Sequence, residues 1–166
     1  MTESLERRIK LLIVDDEAAF LEALGERLEM RDFEVRTAGN GPEALELCRC
    51  EKFDLALIDL KMPGMDGQEL LTRIKKEHRF LEVVILTGHG SLGSAVECAK
   101  LGAFSYLPKP YQLDELLKVL NDAYAERLRN KFADDEVRME KLMKLAQEES
   151  PRRILQRMRE MDNDDR

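Results

Sequence analysis

Three short apolar runs do more than any other feature to limit how this chain can fold. Ile9–Val14 ends in two acids, Phe53–Ile58 ends in a third, and Val83–Leu86 ends in Thr87-Gly88-His89-Gly90. None keeps up the in-and-out alternation of a strand with one wet face. Short apolar runs of this kind are what strands covered on both faces look like. Such strands belong to parallel sheets, and parallel neighbours need a crossover, usually a helix, between them.

The connections supply those crossovers. Glu17–Met30 carries Phe20, Leu21, Leu24 and Leu28 at helical spacing. Phe33–Ala38 is a short alternating strand, and Pro42–Cys50 is helical after the turn chemistry of Asn40-Gly41. Met62-Pro63-Gly64-Met65-Asp66-Gly67 is a loop by composition, and Gln68–His78 is helical. Ser91 caps a helix to Leu101 with Gly102 as its stop. Phe104–Leu107 is a last strand, ended by Pro108-Lys109-Pro110, and a long helix starts near Leu113. Five βα units predict an α/β fold, a doubly wound five-stranded parallel sheet with helices on both faces. In such sheets ligands sit at the carboxyl ends of the strands.

Those ends carry a set of polar groups. The first apolar run ends in Asp15-Asp16, the second in Asp59, the third in Thr87, and the last strand in Lys109. Singly, each has a plain structural reading: a helix cap, a loop acid, a strand end, a solvated turn residue. Jointly, at the ends of four strands of one sheet, they suggest chemistry. Crowded carboxylates repel unless a cation neutralises them, and Mg²⁺ takes one or two carboxylates, a carbonyl and waters. A carboxylate can attack phosphorus to give an acyl phosphate. Mg²⁺, the Lys109 ammonium and the Thr87 hydroxyl could then each bind one equatorial oxygen.

Four stretches resemble the receiver domains of bacterial two-component response regulators, closest in type to those of NtrC-like regulators. They are Ile13-Val14-Asp15-Asp16-Glu17, Leu57–Gly67, Ile85–Gly90 and Gly102–Pro110. The resemblance spans about residues 8 to 128 and implies the strand order 2-1-3-4-5. It implies Asp59 as phosphoacceptor, with Asp15, Asp16, Asp59 and the Lys61 backbone carbonyl around Mg²⁺, Asp16 being the favoured direct ligand of the acidic pair. It further implies that Lys109 pairs with Asp59 and then with the phosphoryl group, that Thr87 and Tyr106 act as switch residues, and that the Lys109–Pro110 bond is cis. The expected partners are a sensor histidine kinase or phosphotransfer protein and a downstream protein target. The expected activity is that of a phosphoacceptor that assists its own phosphorylation and dephosphorylation, not a free-standing enzyme. His89 reads as a neighbour of the site and His78 as a helix C-terminal residue.

Composition removes other classes. The net charge is −7, and it rests on residues 1–128, because the remainder carries as many bases as acids. An acidic body lacks the basic face that nucleic-acid binding needs. No apolar run near the start is long enough to span a bilayer and no cleavable signal surrounds it, so a cytoplasmic protein is expected. Cys48, Cys50 and Cys98 lack metal-ligand spacing and read as reduced, partly buried thiols. A phosphatase would want its nucleophile in the first acidic pair with a second Asp two residues on, and a flavodoxin would want a hydroxyl-rich phosphate loop after the first strand. Asp15-Asp16-Glu17-Ala18-Ala19-Phe20 offers neither.

Residues 1–128 form the predicted domain and 129–166 a helical extension. Ala125, Leu128, Phe132, Asp135, Met139, Leu142 and Ala146 run at 4-3 spacing. That is either a short coiled-coil seam, which would support a homodimer, or a solvated helix. Ser150-Pro151 reads as a cap and first helical position, with Ile154, Leu155, Met158 and Met161 as a small apolar face beyond it. Asp162–Arg166 is expected to be disordered, as at a natural terminus. The extension holds neither a glycine-rich phosphate loop nor a basic recognition helix, so the expected form is a receiver without an output module. A dimeric scaffold in which the extension matters most is the competing reading.

Overall fold

A computed structural model describes residues 7–148 and 151–163. Its elements are β1 (Ile9–Val14), α1 (Ala18–Glu29), β2 (Phe33–Ala38), α2 (Gly41–Cys50), β3 (Leu55–Ile58), α3 (Gly67–Glu77), β4 (Glu82–Thr87), α4 (Leu92–Lys100), β5 (Ser105–Pro108), α5 (Leu113–Glu148) and α6 (Pro151–Asn163). The five strands form one sheet in the order β2-β1-β3-β4-β5, and every neighbouring pair is parallel.

The missing alternation in the apolar runs follows from two cores. Leu12, Val14, Ala56, Ile58, Val83 and Ile85 face one side, where they meet Leu45 of α2, Leu70 and Ile74 of α3, and Cys98 of α4. Their neighbours Leu11, Ile13, Leu55, Leu57, Val84 and Leu86 face the other side, against Leu24 and Leu28 of α1 and Leu116, Leu120 and Ala123 of α5. Successive residues of each central strand enter opposite cores, so both must be apolar.

The helix starts carry local signals. Asn40 Oδ1 accepts from Glu43 N at 2.9 Å, and Asp66 Oδ1 accepts from Glu69 N at 2.8 Å. Ser91 and Ser94 form a reciprocal capping box. Gly67 opens α3 where a Cβ would collide with the backbone of Asp59 and Leu60. Only a residue without a side chain lets α3 approach the end of β3 that closely. The register pairs Val14 with Ile58, Ile58 with Ile85, and Thr87 with Pro108. The residues just beyond these strand ends therefore come out side by side.

The opposite edge of the sheet is closed by ion pairs. Asp54, beside the start of β3, is buried. Its Oδ1 accepts from Arg127 Nε at 2.9 Å and from Arg7 Nη2 at 3.4 Å, and its Oδ2 accepts from Lys10 N at 2.9 Å. Arg127 also donates through Nη1 to the Phe80 carbonyl at 2.7 Å. Lys75 Nζ donates to the carbonyls of Arg79 and Leu81 at 2.9 and 3.2 Å, with a Glu82 carboxylate oxygen 3.9 Å away.

Two compact units divide the chain, residues 1–127 and residues 128–166. In the second, Arg138 Nη2 donates to the Met161 carbonyl at 2.6 Å, joining the far part of α5 to α6. Leu128, Phe132, Met139, Leu155 and Met158 are exposed. The expected disorder from Asp162 onward does not hold at its start, since Asp162 and Asn163 complete α6. Residues 164–166 and the proposed cap Ser150 lie outside the described residues, as do the side chains of Ala146 and Ile154. No helix among the described residues is long and apolar enough to cross a membrane.

Candidate functional site

The carboxyl ends of β1, β3, β4 and β5 deliver the expected residues to one place. Asp15 follows β1 and is 1% exposed, Asp59 follows β3 and is 5% exposed, and Asp16 beside them is open to solvent. One oxygen from each of the three carboxylates lies within 4.8 Å of the others. Backbone bonds hold the acids in place: Asp59 N donates to Val14 O at 3.0 Å and Asp15 N to Ala38 O at 3.2 Å. The Asp15 side chain also fixes the entry to α1, because its Oδ1 accepts from Glu17 N at 2.9 Å.

Lys109 reaches the cluster from the end of β5. Its amide donates to the Thr87 carbonyl at 2.9 Å, and the peptide bond to Pro110 is cis, as expected. Its ammonium, however, donates to Asp15 Oδ2 at 2.9 Å. The expectation that Lys109 pairs with Asp59 is therefore corrected: in this state it pairs with Asp15 and lies 3.9 Å from the centroid of the Phe20 ring. Asp15 Oδ2 is the acceptor that the lysine reaches, and the aromatic face on α1 completes its seat.

Asp59 is left incompletely satisfied. Its Oδ1 is buried and has no hydrogen-bond partner. A buried carboxylate oxygen without a donor costs free energy, and two further carboxylates nearby add repulsion. An all-oxygen donor set with one orphaned buried atom fits a hard divalent cation. Lys61, two residues beyond Asp59, has an exposed side chain.

Thr87 ends β4 fully buried, and its Oγ1 accepts from His89 N at 3.1 Å. The Tyr106 hydroxyl is 3.1 Å from Ser94 Oγ. A Cβ on Gly90 would overlap that hydroxyl, so the phenol occupies room that only glycine leaves. His89 is exposed beside the site. His78 terminates α3, its amide donating to Ile74 O at 2.7 Å.

Sequence reasoning did not single out Phe20, Ser94 or Gly90 as site residues. Phe20 was counted as a core position of its helix, and its one signal was its place one helical turn after Asp16. The thiols lie away from the strand ends. Burial, and then Glu77, pushes Cys48 up to about 11. Cys98 is raised chiefly by burial, with smaller contributions from Glu97 and Asp66. Both suit inert packing roles. Cys50, expected to be partly covered, is exposed.

The family model of the response regulator receiver domain matches residues 11–121. The chain belongs to this family. Receiver domains are phosphoacceptor signalling switches that work with a kinase or phosphotransfer partner. Among curated relatives, the transcriptional regulatory protein GlrR of Escherichia coli (strain K12) is 42% identical over 113 residues, covering 68% of this chain and 26% of that protein. Sporulation initiation phosphotransferase F of Bacillus subtilis (strain 168) is 38% identical over 107 residues, 64% of this chain and 86% of that protein. The CheY-like receiver domain protein of Methanospirillum hungatei JF-1 superposes with a TM-score of 0.72 at 33% identity, covering 75% of this chain and 99% of that one. The chain spans about a quarter of the length of the transcriptional regulators it matches.

Proposed function

We propose that Asp59 is the phosphoacceptor of this receiver domain and that the domain takes its phosphoryl group from a phosphohistidine on a sensor histidine kinase or phosphotransfer protein. The observation that carries this reading is the unpartnered, buried Asp59 Oδ1, the one such carboxylate oxygen among the described residues. An Asp59 carboxylate oxygen forms a bond to phosphorus while the bond from phosphorus to the donor's ring nitrogen breaks. The electron pair leaves with that nitrogen, and the product is an acyl phosphate.

Asp15, Asp16, Asp59 and the Lys61 backbone carbonyl would hold Mg²⁺. When bound, the ion supplies charge neutralisation for the carboxylates and the phosphoryl oxygens. Lys109 offers its ammonium to a phosphoryl oxygen, and Thr87 offers its hydroxyl. These groups lower the barrier for gain and loss of the phosphoryl group, so the protein assists its own phosphorylation and dephosphorylation. Adding roughly two negative charges beside Thr87 changes its hydrogen bonding. Thr87 and Tyr106 then shift together, altering the surface of α4 and β5 for a downstream protein target.

Residues 1–128 are the receiver in this reading and 129–166 a helical extension. The exposed Leu128, Phe132 and Met139 on the far part of α5 favour a homodimer contact there. The test is intact mass after incubation with acetyl phosphate and Mg²⁺, with each sample sized by light scattering. A phosphoryl adduct is expected on the wild type and none on Asp59→Asn. An adduct on both proteins, or on neither, would reject Asp59 as the acceptor.

A further inference from the structure

We infer that Phe20 is a positioning residue for phosphoryl transfer, holding the Lys109 ammonium on the Asp15 side of the site in the unphosphorylated protein. The inference rests on Asp59 being the acceptor.

Two contacts meet at the ammonium. Lys109 Nζ donates to Asp15 Oδ2 at 2.9 Å and stands 3.9 Å from the centroid of the Phe20 ring. The lysine side chain is only 21% exposed, so the cation–π contact acts in a largely desolvated setting, where it is strongest. One short segment sets both contacts. Asp15 Oδ1 anchors Glu17 N, α1 begins at Ala18, and Phe20 falls within its first turn. The same anchored turn therefore presents the carboxylate and the ring to one cation. Asp59 Oδ1 meanwhile has no partner.

A phosphoryl group on Asp59 draws its counter-charge from Lys109, so the ammonium must shift toward Asp59. A contact made in the resting state and weakened on the way to the transition state raises the barrier to transfer. Phe20 thereby restrains phosphoryl uptake. The ring belongs to the second core, where it is partly buried, so leucine keeps the packing while removing the π face.

The first readout uses the protein without Mg²⁺ or phosphodonor. The Lys109 ε-methylene protons should resonate upfield of ordinary lysines through the ring current of Phe20, and should return to the ordinary position in Phe20→Leu. The second is the second-order rate of phosphorylation by acetyl phosphate at saturating Mg²⁺. Phe20→Leu should raise it roughly two- to fivefold, and Phe20→Trp, a stronger π donor, should not raise it. An unshifted Lys109 in the wild type, a leucine variant no faster than wild type, or a tryptophan variant that is faster would each overturn the role of Phe20. If the leucine variant fails to fold, the tryptophan rate decides. Absence of any adduct on wild type would instead remove the acceptor reading itself.

Discussion

One sheet carries a buried aspartate at each of its two edges, and the contrast between them separates structure from function. At the amino-terminal edge, both oxygens of Asp54 are satisfied, by Arg127, Arg7 and the Lys10 amide. At the carboxyl-terminal edge, Asp59 keeps one oxygen without a donor while Lys109 is occupied by Asp15. The residue types are the same and the burial is similar. The difference lies in completeness: a satisfied carboxylate fastens the fold, whereas an unsatisfied one stores free energy that a cation or a phosphoryl group can release.

The largest expected effect comes from breaking the closed edge. Asp54→Ala leaves the Arg127 guanidinium buried without its carboxylate and should cost about 3–5 kcal/mol in urea unfolding. Phosphorylation per folded molecule should survive. A loss under about 1 kcal/mol would mean that the pair is no fastening. The open edge should respond with the opposite sign. Asp59→Asn eases the crowding of three carboxylates and should stabilise the protein by about 1 kcal/mol when Mg²⁺ is absent. Mg²⁺ should then stabilise the wild type more than the variant, because only the wild type keeps all three carboxylates. A variant less stable than wild type without Mg²⁺ would show that Asp59 is not strained.

The smallest effect sharpens the contrast within the closed edge. Burial lowers the Lys75 pKa, Glu82 opposes that shift, and Arg127 adds to it. The unfolded chain therefore holds this proton more tightly than the folded one, so ionised Lys75 carries a stability penalty at neutral pH. The penalty should fade as pH rises through the lowered folded pKa toward the ordinary lysine value of about 10.4. The urea midpoint of wild type should rise relative to that of Lys75→Met across that range. A difference that stays flat with pH would remove Lys75 from the account.

Much of this was legible in the chain. Leu11–Val14 and Val83–Leu86 announce doubly covered strands because each residue enters one of two cores, and the polar residues that follow them, Asp15-Asp16 and Thr87, mark the strand ends where the site is sought. The partner of Lys109 was not legible. Asp15 and Asp59 are close alternatives for a long flexible side chain, and the choice depends on side-chain paths and on the Phe20 ring, which no spacing reveals. Arg127 is legible in the spacing of its helix. It continues the face of Leu116, Leu120 and Ala123 and so places a charge where an apolar residue belongs. The 4-3 spacing on the far part of α5 allows either a seam or a solvated helix, and the structure adds α6 bonded to it through Arg138. Amphipathic spacing says that a helix wants cover but does not say what covers it.

The contact between Asp15 and Lys109 spans 94 positions of the chain. The acids are translated early and their cation late, and nothing local can bring them together. A nascent or partly unfolded molecule thus carries every acidic group of the pocket without the lysine that balances it. In the proposed reaction, where Lys109 assists transfer, phosphoryl uptake is therefore favoured in molecules that have finished folding.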